Sequence, residues 1–130
     1  MSNTLVSQYT KIYESGDTGS EIIFVDSQLS NITISVQPLN LTESDELLIE
    51  SDPISLVTQE KAVPKGDVTG TVSLSASPLG TFEYYDLPDG VINLSDPIFI
   101  TTDILVSKLK PVFETVVGAT HVAITVTGRS

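Results

Sequence analysis

The sequence predicts an all-β chain, an antiparallel β-sandwich of jelly-roll or immunoglobulin-like kind, and three observations carry that expectation. First, three runs place apolar residues at every second position: Ile32, Ile34 and Val36; Val72, Leu74 and Ala76; Val122, Ile124 and Val126. This is the pattern of strands with one face turned to a core. Second, 40% of the residues are hydrophobic but only 6% are aromatic, with no Trp. The core must therefore come from Val, Ile and Leu, and the β-branched members of that set suit a pleated sheet. Third, no segment sustains an apolar stripe at the 3.6-residue period of a helix. With 130 residues, one domain is expected. Residues 1–20 are taken as an N-terminal arm or edge strand and residues 21–130 as the sandwich.

The first twenty residues are mostly Ser, Thr, Asn, Gly and charged groups, with Leu5, Val6, Tyr9, Ile12 and Tyr13 scattered among them. Two readings stand: an arm reaching a neighbour, or an edge strand from about Tyr9 to Tyr13 closed by the turn Glu14 to Ser20. Glu21 to Asp26 is apolar on both faces, with Ile22 and Phe24 pointing one way and Ile23 and Val25 the other. One face is core, and the other packs under a loop or meets another subunit. Leu5, Tyr9, Ile12, Tyr13, Ile23 and Val25 make up the candidate contact set. Asn31 to Gln37 alternates cleanly, and Pro38 ends it by removing a backbone donor. The next loop, residues 39–53, crowds Glu43, Asp45, Glu46, Glu50 and Asp52 together. It lacks the spacing and the Gly of a helix-loop-helix calcium site, so it reads as a solvated acidic loop with room for at most a helical turn at Ser44 to Glu50. Ile54 to Thr58 reads as a short strand, and Gln59 to Asp67 as a turn-rich connection.

The stretch from Thr69 to Pro97 organises the rest. Its opening strand carries Val72, Leu74 and Ala76 against Ser73, Ser75 and Ser77; Pro78 ends the ladder and Gly80 allows a reversal. Asp89-Gly90 then matches the dipeptide preferred in hairpin turns. An internal repeat is visible here: ITISVQPL (32–39) aligns with VSLSASPL (72–79), and LLIESDPISLVT (47–58) with VINLSDPIFITT (91–102). Either a half-sandwich has been duplicated, or Ser-rich strands and Asp-Pro turns have been reached twice. Ile104 to Leu109 has strand composition and Pro111 interrupts or bends it. The chain closes on a paired strand through Val122, Ile124 and Val126.

Chemistry is sparse. Seventeen acidic residues against six basic ones give a net charge of −11, which repels nucleic acid and anionic lipid alike, so neither is an expected partner. The absence of Cys removes disulfides and thiolate metal sites. The opening residues lack the basic segment and apolar block of a secretory signal, so synthesis in the cytoplasm is expected. His121, the only histidine, falls on the predicted outward face with Ala123 and Thr125. It lacks a nucleophile elbow or a partner set in sequence. Asp86 and Asp89 come nearest to a carboxylate pair but read as turn formers. Tyr84 and Tyr85 alternate across a strand, so only one of them can join Phe82 in a sugar-stacking surface. No catalytic, cofactor-binding or metal-binding residue is assigned, no cofactor is expected, and an enzyme is not expected.

Gly70 to Val72, Ser77-Pro78 and Gly80 to Phe82, with Gly118 to His121 and Ile124 to Gly128 in the tail, give the C-terminal half a resemblance. It resembles the small β-sandwich virion proteins of tailed bacteriophages, in which a Gly-Thr-Val strand runs into a Ser-Pro turn and an aromatic-containing strand. The chain in that group ends on a Gly-Ala-Thr segment and a strand closing on Thr-Gly. Leu79 departs from the Asp that more often follows the Ser-Pro pair. The resemblance implies a non-enzymatic capsid decoration or cement protein on the head surface. Its partner would be the major capsid protein, and it would form a homo-oligomer, a trimer by preference. A receptor- or glycan-binding module of a tail fibre or adhesin is the alternative.

Overall fold

The computed structural model describes residues 6–15, 22–25, 31–51, 56–64, 66–78, 83–96, 99–102 and 106–129. Along the chain these form β1 (Val6–Glu14), β2 (Ile23–Phe24), β3 (Asn31–Leu39), α1 (Glu43–Ser51), α2 (Leu56–Glu60), β4 (Thr69–Pro78), β5 (Tyr85–Asn93), β6 (Ile100–Thr102), β7 (Val106–Val117) and β8 (His121–Arg129). The strands make two four-stranded sheets, sheet I in the order β1-β8-β3-β6 and sheet II in the order β2-β7-β4-β5. Every pairing among them is antiparallel. The chain is an all-β sandwich. None of its described helices is long and apolar enough to cross a membrane.

The three alternating runs form the core as their period requires. Ile32, Ile34 and Val36 on β3 and Val122, Ile124 and Val126 on β8 face Val72, Leu74 and Ala76 on β4 across the sandwich, all buried. Tyr13 of β1 closes one end against Phe113 of β7, the rings 5.2 Å apart at a tilt that suits the aromatic quadrupole. Each fully buried Ile, Leu or Val contributes about 1.5–3 kcal/mol over its exposed state, so the cluster rather than any polar contact holds the two sheets together.

Strand irregularities sit where the sequence places Gly and Pro. Thr69 pairs with Val117 but Thr71 with Glu114, so β7 carries an extra residue opposite Gly70, and Thr115 there has φ 52°. Gly70 has φ 115°, and a Cβ on it would stand 2.6 Å from the Thr115 carbonyl oxygen; only Gly fits a backbone pressed that closely. Pro111 does not break β7, which runs on to Val117. Among the described residues β2 pairs with β7 only at Leu109 and Lys108, so beyond that point β7 is an edge on one side and tolerates a missing donor.

Pro38 does not end β3, which pairs on through Pro38 and Leu39 with Val122 and His121, and four further expectations need correction. The acidic loop is helix α1, and the described part of the expected strand at Ile54 to Thr58 is helix α2. The signal was present, because Thr42 and Asp45 form a capping box: the Thr42 amide donates to Asp45 Oδ2 at 3.0 Å and the Asp45 amide to Thr42 Oγ1 at 3.3 Å. Asp89-Gly90 is not a hairpin turn. Ser73 pairs with Val91 and Ser75 with Asp86, so residues 87–90 bulge out of β5 opposite Leu74, with Asp89 at φ 56°. His121 does point away from the core, as its parity requires, but α1 covers that face and leaves it buried.

The repeat holds for the two strands that open its copies and fails beyond them. β3 and β4 each stand third in their sheets, yet the segment after β3 is helical while its counterpart after β4 supplies the end of β5 and then β6. Capping by Thr42, which lies in the loop between the two aligned blocks, is the local difference. The Ser-Asp-Pro-Ile turns themselves fall largely outside the described residues, as do Leu79 to Phe82 and Ile104.

Candidate functional site

The two outer faces of the sandwich differ. On sheet I the second core, Leu39, Leu41, Ile49 and Ala123 with Ile12, Val57 and Ala62 against it, lies beneath the helices. On β1 and β8 the residues of this face are Glu14, Ile12 and Thr10, in register with His121, Ala123 and Thr125. Leu39 flanks His121 from β3. The row Glu14–His121–Leu39 is therefore fixed by strand register, and α1 brings Glu46 onto it.

Thr120 is the hub that sets the imidazole. Its amide donates to the Leu39 carbonyl at 3.0 Å, its hydroxyl lies 3.3 Å from the same oxygen, and that hydroxyl accepts from the Leu41 amide at 2.8 Å. His121 Nδ1 stands 2.8 Å from Thr120 Oγ1, and its Nε2 lies 2.6 Å from Glu46 Oε1. A hydroxyl, imidazole and carboxylate in line look like a nucleophile relay. Thr120 Oγ1, however, is consumed as an anchor between two backbone groups of the β3–α1 turn, so the arrangement orients the imidazole and does not activate the hydroxyl.

Glu14 completes the group: single donor atoms of Glu14, Glu46 and His121 all lie within 4.8 Å of one another. They stand in a cleft of about 370 Å³ between β1, β8 and α1, lined also by Thr10, Leu41 and Ile49. Asp45 is outside this group, at the helix start. The hydrogen bond from the Thr42 amide lowers its carboxyl below the ordinary value, and Lys61, 3.6 Å away, adds to that. Glu43, Asp45 and Glu46 in the first turn also complement the helix dipole. The acidic cluster is thus divided between capping and the His121 cleft.

Among the described residues, sheet II has no helix over its outer face. Phe24, Val91 and Val112 are exposed there, Phe24 at 73%. Ser73, on the outward face of β4, is in register with Val91 on one side and Val112 on the other, giving a row with a shallow centre. The Lys110 ammonium lies 5.6 Å from the Tyr84 ring centroid, and the Tyr85 hydroxyl donates to Glu83 at 3.1 Å. Asp86 and Asp89 are exposed on β5.

The sequence-derived contact set is dispersed. Ile23 (0% exposed), Tyr13 and Val25 are core residues; parity was right for this strand, but its outward apolar group is Phe24. Tyr9 is half-exposed on edge strand β1, Ile12 packs in the second core, and Leu5 lies outside the described residues. Sequence reasoning did not bring Glu14, Glu46 and His121 together, since they are joined only by register and by the docking of α1. No protein-family model matches the sequence, and no curated protein matches it significantly.

Proposed function

We propose that this chain is a non-enzymatic structural protein of a virion, a decoration or cement protein that docks on a phage head through the outer face of sheet II. The observation that carries the reading is the inequality of the two sheet faces. Helices seal one, whereas the other keeps Phe24, Val91 and Val112 exposed around a serine-lined centre. Exposed apolar groups on a strongly acidic surface favour burial against a partner. The resemblance of the C-terminal half to phage virion proteins supplies the partner class, the major capsid protein, with a homotrimer as the favoured assembly. The net charge of −11 keeps free copies apart and soluble until they meet the lattice.

Removing residues 1–13, the obvious way to test an arm, would also remove most of β1 and the buried Tyr13. The cleaner test is Phe24→Ser with Val91→Ser, measured as occupancy on purified heads. Reduced occupancy with an unchanged melting temperature supports docking through sheet II; full occupancy counts against it. The alternative, a receptor- or glycan-binding module, draws on Tyr84, Tyr85 and Lys110 near one end of β4 and β5, and silence on a glycan array would dismiss it.

A further inference from the structure

Docking through sheet II leaves the His121 cleft unused. His121 is 7% exposed, and one carboxylate, that of Glu46 at 2.6 Å, satisfies its Nε2. Glu14 brings a second carboxylate to the same place. Two carboxylates within 4.8 Å of each other and of one imidazole repel each other unless positive charge lies among them, and a chain of net charge −11 offers little at long range. Lys11 lines the same cleft, its ammonium 5.7 Å from the Tyr13 ring centroid.

From this geometry we infer that Glu14, Glu46 and His121 form a binding site for a divalent transition metal, with zinc the best match. One imidazole and two carboxylates are ligands that zinc takes, whereas calcium and magnesium prefer all-oxygen sets. With zinc–ligand bonds of about 2.0–2.2 Å, ligand atoms in a tetrahedron stand roughly 3.3 Å apart. The 4.8 Å spread contracts to that by rotation of Glu14, which lies at the surface. Glu46 and Nε2 move apart slightly as the ion replaces the proton between them.

The Thr120 anchor fits the same role. When Nε2 binds the ion, Nδ1 carries the ring hydrogen and donates it to Thr120 Oγ1, 2.8 Å away, while the hydroxyl hydrogen turns to the Leu39 carbonyl. A metal-bound imidazole held through its other nitrogen by a fixed oxygen is the usual outer-shell arrangement. The fourth position opens on the cleft. The three ligands come from β1, α1 and β8, so the ion ties the helix to the sheet.

The test uses the untagged full chain and zinc chloride. Because the chain has one histidine, its imidazole ¹⁵N resonances are unambiguous, and they are followed during titration. The expected result is a shift of Nε2 that saturates at one ion per chain. A rise in Tm of roughly 10 °C at a hundredfold excess over Kd is also expected. Glu14→Gln, at an exposed position and relieving the repulsion from Glu46, should not lower metal-free stability and should weaken binding about tenfold or more. His121→Gln should abolish the site. An imidazole that does not respond to millimolar zinc overturns the inference. So does calorimetric binding with the Nε2 resonance unmoved, which would report only diffuse association with the acidic surface, or an undiminished affinity in Glu14→Gln.

Discussion

Thr42 shows how much one side chain decides. It receives the Asp45 amide and donates its own amide to the Asp45 carboxylate, and this reciprocal pair starts α1 where the neighbouring Leu47, Leu48 and Ile49 would also suit a strand. Thr42→Ala should cost about 1 kcal/mol, read from the urea midpoint at neutral pH. The same pair sets an acid dependence. Asp45 is held below the ordinary value of 3.8, so its contribution to stability is fully present above that value and is lost as pH falls through the lower, folded one. Urea midpoints should therefore drop below pH 3.8 in the native chain, and this portion of the drop should vanish in Asp45→Asn, since the Thr42 donor that lowers the carboxyl is a main-chain amide which a change at Thr42 would leave in place. An acid limb of equal size in both proteins would show that Asp45 has no part in it.

Among elements, the alternating strands were legible, whereas of the helices only the Thr42–Asp45 cap left a mark in the sequence. The alternation at Val72, Leu74 and Ala76, and its counterparts on β3 and β8, describes a face buried on one side only, and such strands have the same period wherever they fall in a sheet. The helices α1 and α2 are short, and α1 exposes Leu47 at 69% and Leu48 at 56%, so no clean apolar stripe marks it. Its docking rests on Ile49 and on the partners beneath it. Placing His121 on the outward face followed correctly from parity. Its burial could not follow, because that depends on which sheet face receives the helices. The bulge at residues 87–90 escaped for a related reason: Asp-Gly supplies a positive φ equally well to a turn or to a bulge. Ile49→Ala should cost about 2–3 kcal/mol, expressed first as faster hydrogen exchange in α1, with β8 amides still protected. Equal loss of protection in α1 and β8 would show that helix and sandwich unfold only together.

At the scale of the whole molecule, helices cover the outer face of one sheet and, among the described residues, no helix covers the other, and the proposed docking depends on that division. Ile23 and Phe24 separate stability from binding at adjacent positions. Ile23→Ala, inside the core at 0% exposure, should cost about 2–5 kcal/mol. Phe24→Ser should leave stability within about 0.5 kcal/mol of the native chain and act on docking alone. A large loss of stability in Phe24→Ser would mean that this ring supports the fold and does not serve as a contact. The central claim, that the chain belongs to a capsid lattice, is tested most directly by quantitative mass spectrometry of particles purified from the source. A lattice protein should be present at a copy number of the same order as that of the major capsid protein. A handful of copies per particle, or none, would contradict the claim.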